Sequence, residues 1–372
     1  MWREASAGTS EKHVTSGRDL RPTMPAMVIA GGRAEASWAD SGRTEASQVE
    51  SGPGERQYTP ARHDPGCHDI VEMPRYRRGL AGSISCEGIG LHSAQTVQLT
   101  LAPAEPGAGI VFCRTDLPDC RIAARHDHVV DTRLCTALAD PARPDQRVGT
   151  IEHLMAALAG LAIDDATIRL DGPELPILDG SAEAFVFLIH CAGIVESAMP
   201  RRMIEVLRPV RVTDGAASAV LLPAPGRTGL SLDLEIDFPA EAVGRQHFAV
   251  DLSPALFERD LARARTFTFV AEIEALHAAG LARGGSLANA IVVDGAEIVN
   301  PEGLRYPDEF VRHKLLDVVG DLALAGAPII GRVEATRSGH RLNNRLLHAL
   351  FADQANYRII PADALIAQPE AA

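Results

Sequence analysis

No apolar run in the 372-residue chain approaches the roughly 18 residues that a membrane-crossing helix needs, so no transmembrane segment is expected. Met24–Ala30 is too short to span, and with only Arg18 and Arg21 near it, it reads as neither a signal peptide nor an anchor. The six cysteines, at 67, 86, 113, 120, 135 and 191, form no CxxC pair. That excludes a zinc ribbon and a disulfide framework, and it fits a reducing compartment. A cytoplasmic protein is expected. Positive charge is also short: 36 Lys and Arg face 49 Asp and Glu, a net charge of −13. Nucleic-acid binding needs a basic face and is not expected. A local basic pocket for a small anionic substrate is still allowed. Lysine itself is nearly missing, with Lys12 and Lys314 standing against 34 Arg. A compact ammonium kept in a chain that otherwise writes arginine draws attention to Lys314, because guanidinium cannot replace it in a tight site.

What remains is an ordinary globular composition, 46% hydrophobic and 23% charged, long enough for two domains. Residues 1–72 stand apart. They hold no Phe, few branched aliphatics and both tryptophans, Trp2 and Trp38, and no amphipathic period holds for a full element. They are expected to be a disordered N-terminal extension, with the working protein beginning near Met73. Beyond it, patterning predicts strands over 82–86, 95–102, 109–114 and 166–171, a helix over 150–161 capped by Thr150, and a helix over 182–191. A Pro-Arg-Arg break at 200–202 ends this unit. The next unit predicts strands over 203–206, 210–213, 219–222, 230–238 and 329–336, and helices over 254–264 and 308–324. Gln98–Gly107 echoes Ala219–Gly226, and each unit then carries a His-bearing helix followed by a strand. The expected fold is α+β: two similar two-layer α/β sandwich domains from a duplicated unit, over 73–200 and 201–352, with a tail over 353–372. A pocket is expected between the halves.

Three weak chemical signals stand out. His313 and Asp317 lie four apart on one helical face, with Asp321 a further turn on. Such a pair can hold a divalent cation, although it is also a common solvated ion pair. Glu152 and His153 open an otherwise apolar helix, where they could supply a general base and a metal ligand. A glutamate favoured by the helix dipole, beside an incidental histidine, has the same appearance. His340 follows Gly339 in a polar stretch and is expected in a loop. Taken together, two His and one carboxylate make a catalytic zinc set with an open position. Glu152 is then placed to take a proton and His340 to give one.

In this combination the sequence resembles the UDP-3-O-acyl-N-acetylglucosamine deacetylases, the zinc amidases of bacterial lipid A biosynthesis. The resemblance rests on Glu87–His92, Asp131–Thr136, Thr150–Leu154, Ile177–Ser181, Arg263–Phe267, Gly284–Ser286, Phe310–Asp317 and Ser338–His340, in order across roughly 80–350. Ala94 departs from it, standing where many members carry Gly. The resemblance implies His153, His313 and Asp317 as ligands of one zinc ion, a site that Fe(II) could also fill. It implies Glu152 as general base, His340 as general acid, Asp321 as the residue that charges that histidine, and Thr266 as a donor to the oxyanion. It implies Lys314, Phe267, Phe238, Gly285 and Ser286 on the substrate side, and a βαβ insert over about 268–300 forming an acyl-chain passage. The implied partner is UDP-3-O-acyl-N-acetylglucosamine, bound by a monomer. Two other readings use the same residues: a two-His, one-carboxylate metalloenzyme on another substrate, and a non-catalytic nucleotide-sugar binding module.

Overall fold

The computed structural model describes residues 28–29, 74–226 and 228–365. The extension expected over 1–72, and the start expected at Met73, therefore lie outside the described residues, except that the backbone of Val28–Ile29 pairs antiparallel with Ile84 and Ser85.

Strand Thr96–Ala102 shows how the sequence builds the first sheet. Val97, Leu99 and Leu101 are fully buried while Thr96 and Gln98 are exposed, the alternation of a sheet with one covered face. In that sheet Ala166–Leu170 is central. It runs antiparallel to Thr96–Ala102 and parallel to Ile110–Arg114. These two pair outward, antiparallel, with Ile84–Ile89 and Cys120–Ala123. The second sheet repeats the plan. Ile329–Thr336 is central, antiparallel to Ala217–Leu222 and parallel to Leu230–Asp237. Val210–Asp214 and Arg245–Asp251 flank them. Order and direction match strand for strand, so the duplication suggested by the echo at 98–107 and 219–226 is a property of the fold.

The helices follow the same rule. In chain order they are α1 (Glu152–Gly160), α2 (Glu183–Ala192), α3 (Pro254–Leu256), α4 (Val270–Ala278), α5 (Glu309–Leu322) and α6 (His340–Phe351). In each unit one helix precedes the central strand (α1, α5) and one follows it (α2, α6). α2 lies on strands 84–89 and 96–102, α6 on 210–214 and 217–222, and α1 packs against α5. α1 is buried from Glu152 through Leu158, as an apolar helix between two layers must be. Its approach to α5 is set by Gly320, because a Cβ there would lie 2.0 Å from the Glu152 carbonyl oxygen.

Each unit also carries an insertion at the same topological point, between the fourth strand of its sheet and the helix that precedes its central strand, α1 or α5. In the first unit it is a three-stranded ribbon, Val129–Asp131, Ala137–Asp140 and Arg143–Val148. In the second it is a βαβ element, in which Phe267–Phe269 and Ile291–Asp294 run parallel and α4 connects them.

Several expectations are corrected. Thr150 is not the cap of α1. Its φ is +55°, Ile151 occupies the cap position, and the Thr150 hydroxyl donates instead to Glu174 Oε1 at 3.0 Å. The helix expected over 254–264 is α3 followed by a π-turn over Phe257–Leu261, with Ser253 accepting from the Leu256 amide. The ribbon, the strand Arg245–Asp251 and α6 were not expected. His340 is the first residue of α6 rather than a loop residue, because Gly339 is extended and the helix starts after it. Residues 357–361 are no tail. They pair antiparallel with Arg202–Val206, as Ile194–Pro200 pairs with Tyr76–Leu80 in the first unit. The break at 200–202 is the passage from the last strand of the first unit to the first strand of the second.

Candidate active site

The crossing of α1 and α5 brings together residues far apart in the chain. His153, on the first turn of α1, meets His313 and Asp317, one turn apart on α5. Their ligating atoms all lie within 4.8 Å of one another. Both His153 Nε2 and His313 Nε2 approach Asp317 Oδ1, at 3.7 and 3.5 Å. His313 Nδ1 donates to the Ala264 carbonyl at 3.1 Å, which leaves Nε2 with its lone pair free. Asp317 Oδ1 is buried without a hydrogen-bond partner. Burial pushes the His153 imidazolium down to about 3 and lowers His313 in the same direction, so both rings are neutral. Burial works to raise Asp317, and the Lys314 ammonium, 2.8 Å from Oδ2, with the His340 imidazolium holds the carboxyl well below its usual range. Two neutral imidazoles and an ionised carboxylate with an unused oxygen are a donor set suited to a divalent cation.

Opposite this group sit two ionisable residues of contrary tendency. Glu152 is held by the Thr136 amide, which donates to Oε2 at 3.0 Å. Burial, abetted by the charges of Asp317 and Asp321 and opposed by His340, raises it to about 7. His340 Nδ1 donates to Asp321 Oδ2 at 2.9 Å, and its Nε2 lies 3.8 Å from Glu152 Oε1. Burial would lower this imidazolium, but Asp321, by charge and hydrogen bond, with Glu152 and Asp317 raises it to about 9. A carboxylate and an imidazolium so poised, 3.8 Å apart and beside a metal-type donor set, can take one proton and give another.

The expected residues fall into three groups. Glu152, His153, Thr266, Phe267, Phe238, His313, Lys314, Asp317 and His340 line one cavity of about 450 Å³. Asp321 lies behind His340. Gly285 and Ser286 are not brought to that lining. The Gly285 amide donates to the Ala282 carbonyl, and the Ser286 amide to Asn289 Oδ1, closing a turn that docks on Leu91 through the Gly284 amide. Phe238 and Phe267 meet edge to face at 5.4 Å, and Phe267 also meets Phe310 at 5.0 Å, giving the cavity an aromatic wall.

Three supports went unassigned in the sequence. Thr136 spans both halves: its amide holds Glu152, and its hydroxyl donates to Asp321 Oδ1 at 2.6 Å. Asn343 donates to Asp321 Oδ2 at 2.8 Å and is fixed by the Ser338 hydroxyl. Glu174 accepts from the amides of His92 and Ser93 and from Thr150, pinning the turn before α1. Thr136 and Asn343 sit inside or beside stretches that carried the resemblance, but no spacing rule ties residue 136 to residue 321. The loop bearing Thr266 and Phe267 is anchored by Arg265. Its guanidinium is buried against Glu309, with Nε to Oε1 at 2.9 Å.

Residues 77–352 match the sequence profile described as LpxC, UDP-3-O-acyl N-acetylglycosamine deacetylase. A protein of Myxococcus xanthus (strain DK1622) named UDP-3-O-acyl-N-acetylglucosamine deacetylase is 48% identical over 287 residues, 77% of this chain and 90% of its own length. Proteins of the same name from Anaeromyxobacter sp. (strain Fw109-5) and Shewanella loihica (strain ATCC BAA-1088 / PV-4) are 50% and 47% identical, over 76% and 77% of this chain and 91% and 92% of their own lengths. The chain belongs to the LpxC family of UDP-3-O-acyl N-acetylglycosamine deacetylases.

Proposed function

We propose that the chain hydrolyses the 2-acetamido group of UDP-3-O-(3-hydroxyacyl)-N-acetylglucosamine to the free amine and acetate, the committed step of lipid A biosynthesis, using one zinc ion per chain. Family membership supports the substrate. The observation that carries the reaction is the pairing of Glu152 with the His340–Asp321 dyad across the donor set of His153, His313 and Asp317. A binding module has no use for that pairing.

His153, His313 and Asp317 would hold the metal, which when bound supplies a Lewis acid for the amide carbonyl and for the attacking water. The same donors accept Fe(II). Glu152, fixed by the Thr136 amide, takes the proton of the water as its oxygen bonds to the carbonyl carbon. The Thr266 hydroxyl, at the cavity wall, donates to the oxygen on which negative charge develops. His340 then delivers its proton to the departing nitrogen as the C–N bond breaks. An amine anion leaves too poorly to go unprotonated. Lys314 and the Phe238–Phe267 wall hold the sugar and nucleotide, and the acyl chain lies toward Phe269 of the insert with Leu91 and Ile177. The five described cysteines are free, which suits the cytoplasm. A monomer holds every residue of this scheme.

The test is deacetylation of the UDP-linked substrate with metal content measured on the same sample. Turnover with one zinc, lost on chelation and restored by metal, is expected. Glu152→Ala should lower turnover by about 10²–10⁴-fold with metal retained, whereas His313→Ala should lose the metal. Near-normal turnover of Glu152→Ala would remove Glu152 as the base.

A further inference from the structure

A second cavity, of about 580 Å³, opens between the two units toward the C-terminal ends of α1 and α5 and shares no lining residue with the candidate active site. Its size falls within the roughly 300–1,000 Å³ usual for small-molecule sites. Met155 and Leu158 of α1 and Val319 and Leu322 of α5 give it an apolar wall. Its charged lining is lopsided. Arg77, Arg125, Arg201 and Arg202 contribute to it, and the only acid in the lining is Asp164. This is unusual in a chain whose net charge is −13.

The basic groups are not equally engaged. Arg77 is spent on Asp165 at 2.7 Å, and Arg125 on Asp127 at 2.6 Å. Arg201 is 2% exposed and uses Nε for Asp164 Oδ1 at 2.8 Å, yet its Nη1 is buried with no hydrogen-bond partner. Asp164 cannot serve that nitrogen fully, because its other oxygen accepts the Arg78 amide at 2.9 Å. A buried guanidinium N–H without an acceptor is costly, and a carboxylate or phosphate oxygen is the group that guanidinium geometry accepts best.

We propose that this cavity binds a small anion bearing an apolar chain, with its carboxylate or phosphate head on Arg201 and its chain along α1 and α5. The proposal is independent of the deacetylase reading, since it is tested by binding and not by turnover.

The experiment is calorimetric titration of the full chain with dodecanoate, dodecyl phosphate and dodecanol, each below its micelle concentration. It is repeated on Arg201→Gln and on Ala327→Trp, which fills the cavity from a half-buried lining position. Expected, beyond any anion taken by the active-site cavity and untouched by these two substitutions, is one further equivalent bound at least tenfold more tightly than dodecanol, weakened at least tenfold in Arg201→Gln and lost in Ala327→Trp. The tighter of the two anions identifies the head group. Equal affinity for dodecanol, or anion binding undiminished in an Ala327→Trp protein that melts like the parent, would overturn the proposal. Should Arg201→Gln fail to fold, Ala327→Trp and the dodecanol comparison still decide.

Discussion

At the scale of single residues, the site sets two titrations against each other. As the proposed base Glu152 must be ionised to accept a proton, so activity is expected to rise with pH through its value, about 7 in the metal-free protein. A bound cation moves that limb lower by favouring the carboxylate. His340 must be protonated to donate, so activity falls as pH rises through about 9. The expected kcat profile is a bell whose alkaline limb disappears in His340→Ala, as rate measurements across pH 5–10 would show. A profile with no alkaline limb in the parent enzyme would remove His340 as the acid. These two residues were legible because their chemistry is rare beside apolar neighbours. Thr136 was not. A threonine is bland in sequence, and its two bonds reach partners 16 and 185 positions away. Thr150 misled for a different reason. Threonine before an apolar helix is the usual capping signal, but here Glu174 captures its hydroxyl and the backbone turns left-handed.

At the scale of elements, the α1–α5 crossing carries the geometry. Gly320→Ala would drive a methyl into the backbone of α1 at Glu152, a contact no rotamer relieves. The expected cost is about 1–3 kcal/mol of stability, read by denaturant unfolding, with metal affinity lowered although every ligand is intact. Unchanged metal affinity would show that the helices separate without disturbing the donor set. The Thr266 loop offers a parallel case. Arg265→Met would leave Glu309, which is 0% exposed, buried without its cation. A loss of about 3–5 kcal/mol is expected from the same unfolding measurement. Helix α5 could be read from its period, since its apolar residues surround the His313–Asp317 stripe. Helix α6 was read as a loop because Ser338, Gly339, Asn343 and Asn344 are poor helix formers. Its inward spacing, Leu342, Leu346 and Leu350, was present all along. The buried hydrogen bond from Asn343 to Asp321 and the apolar contacts of this face override the local propensity.

At the scale of the whole molecule, duplication explains both what the sequence revealed and what it hid. The strand–turn–strand echo was visible because it repeats as a contiguous string. The strand Tyr357–Pro361 was hidden because an edge strand with exposed Arg358 and Ile359 has no strong pattern. The repeat nevertheless requires it, as the counterpart of Ile194–Pro200. Removing 353–372 should therefore cost more than about 2 kcal/mol, since it strips the partner of Arg202–Val206 and uncovers Met203 and Ile330. A truncated protein that unfolds at the parent's denaturant midpoint would contradict this.

The split of the donor set between α1 and α5 also governs timing. During synthesis the first unit is complete once residue 200 has emerged, and it then owns a single ligand, His153. The other two members of the candidate donor set arrive at 313 and 317, the proposed proton donor at 340, and the strand that closes the second sheet later still. A nascent chain thus passes through most of its length with no centre able to capture a metal from the cell, and loading becomes one of the last events of its maturation.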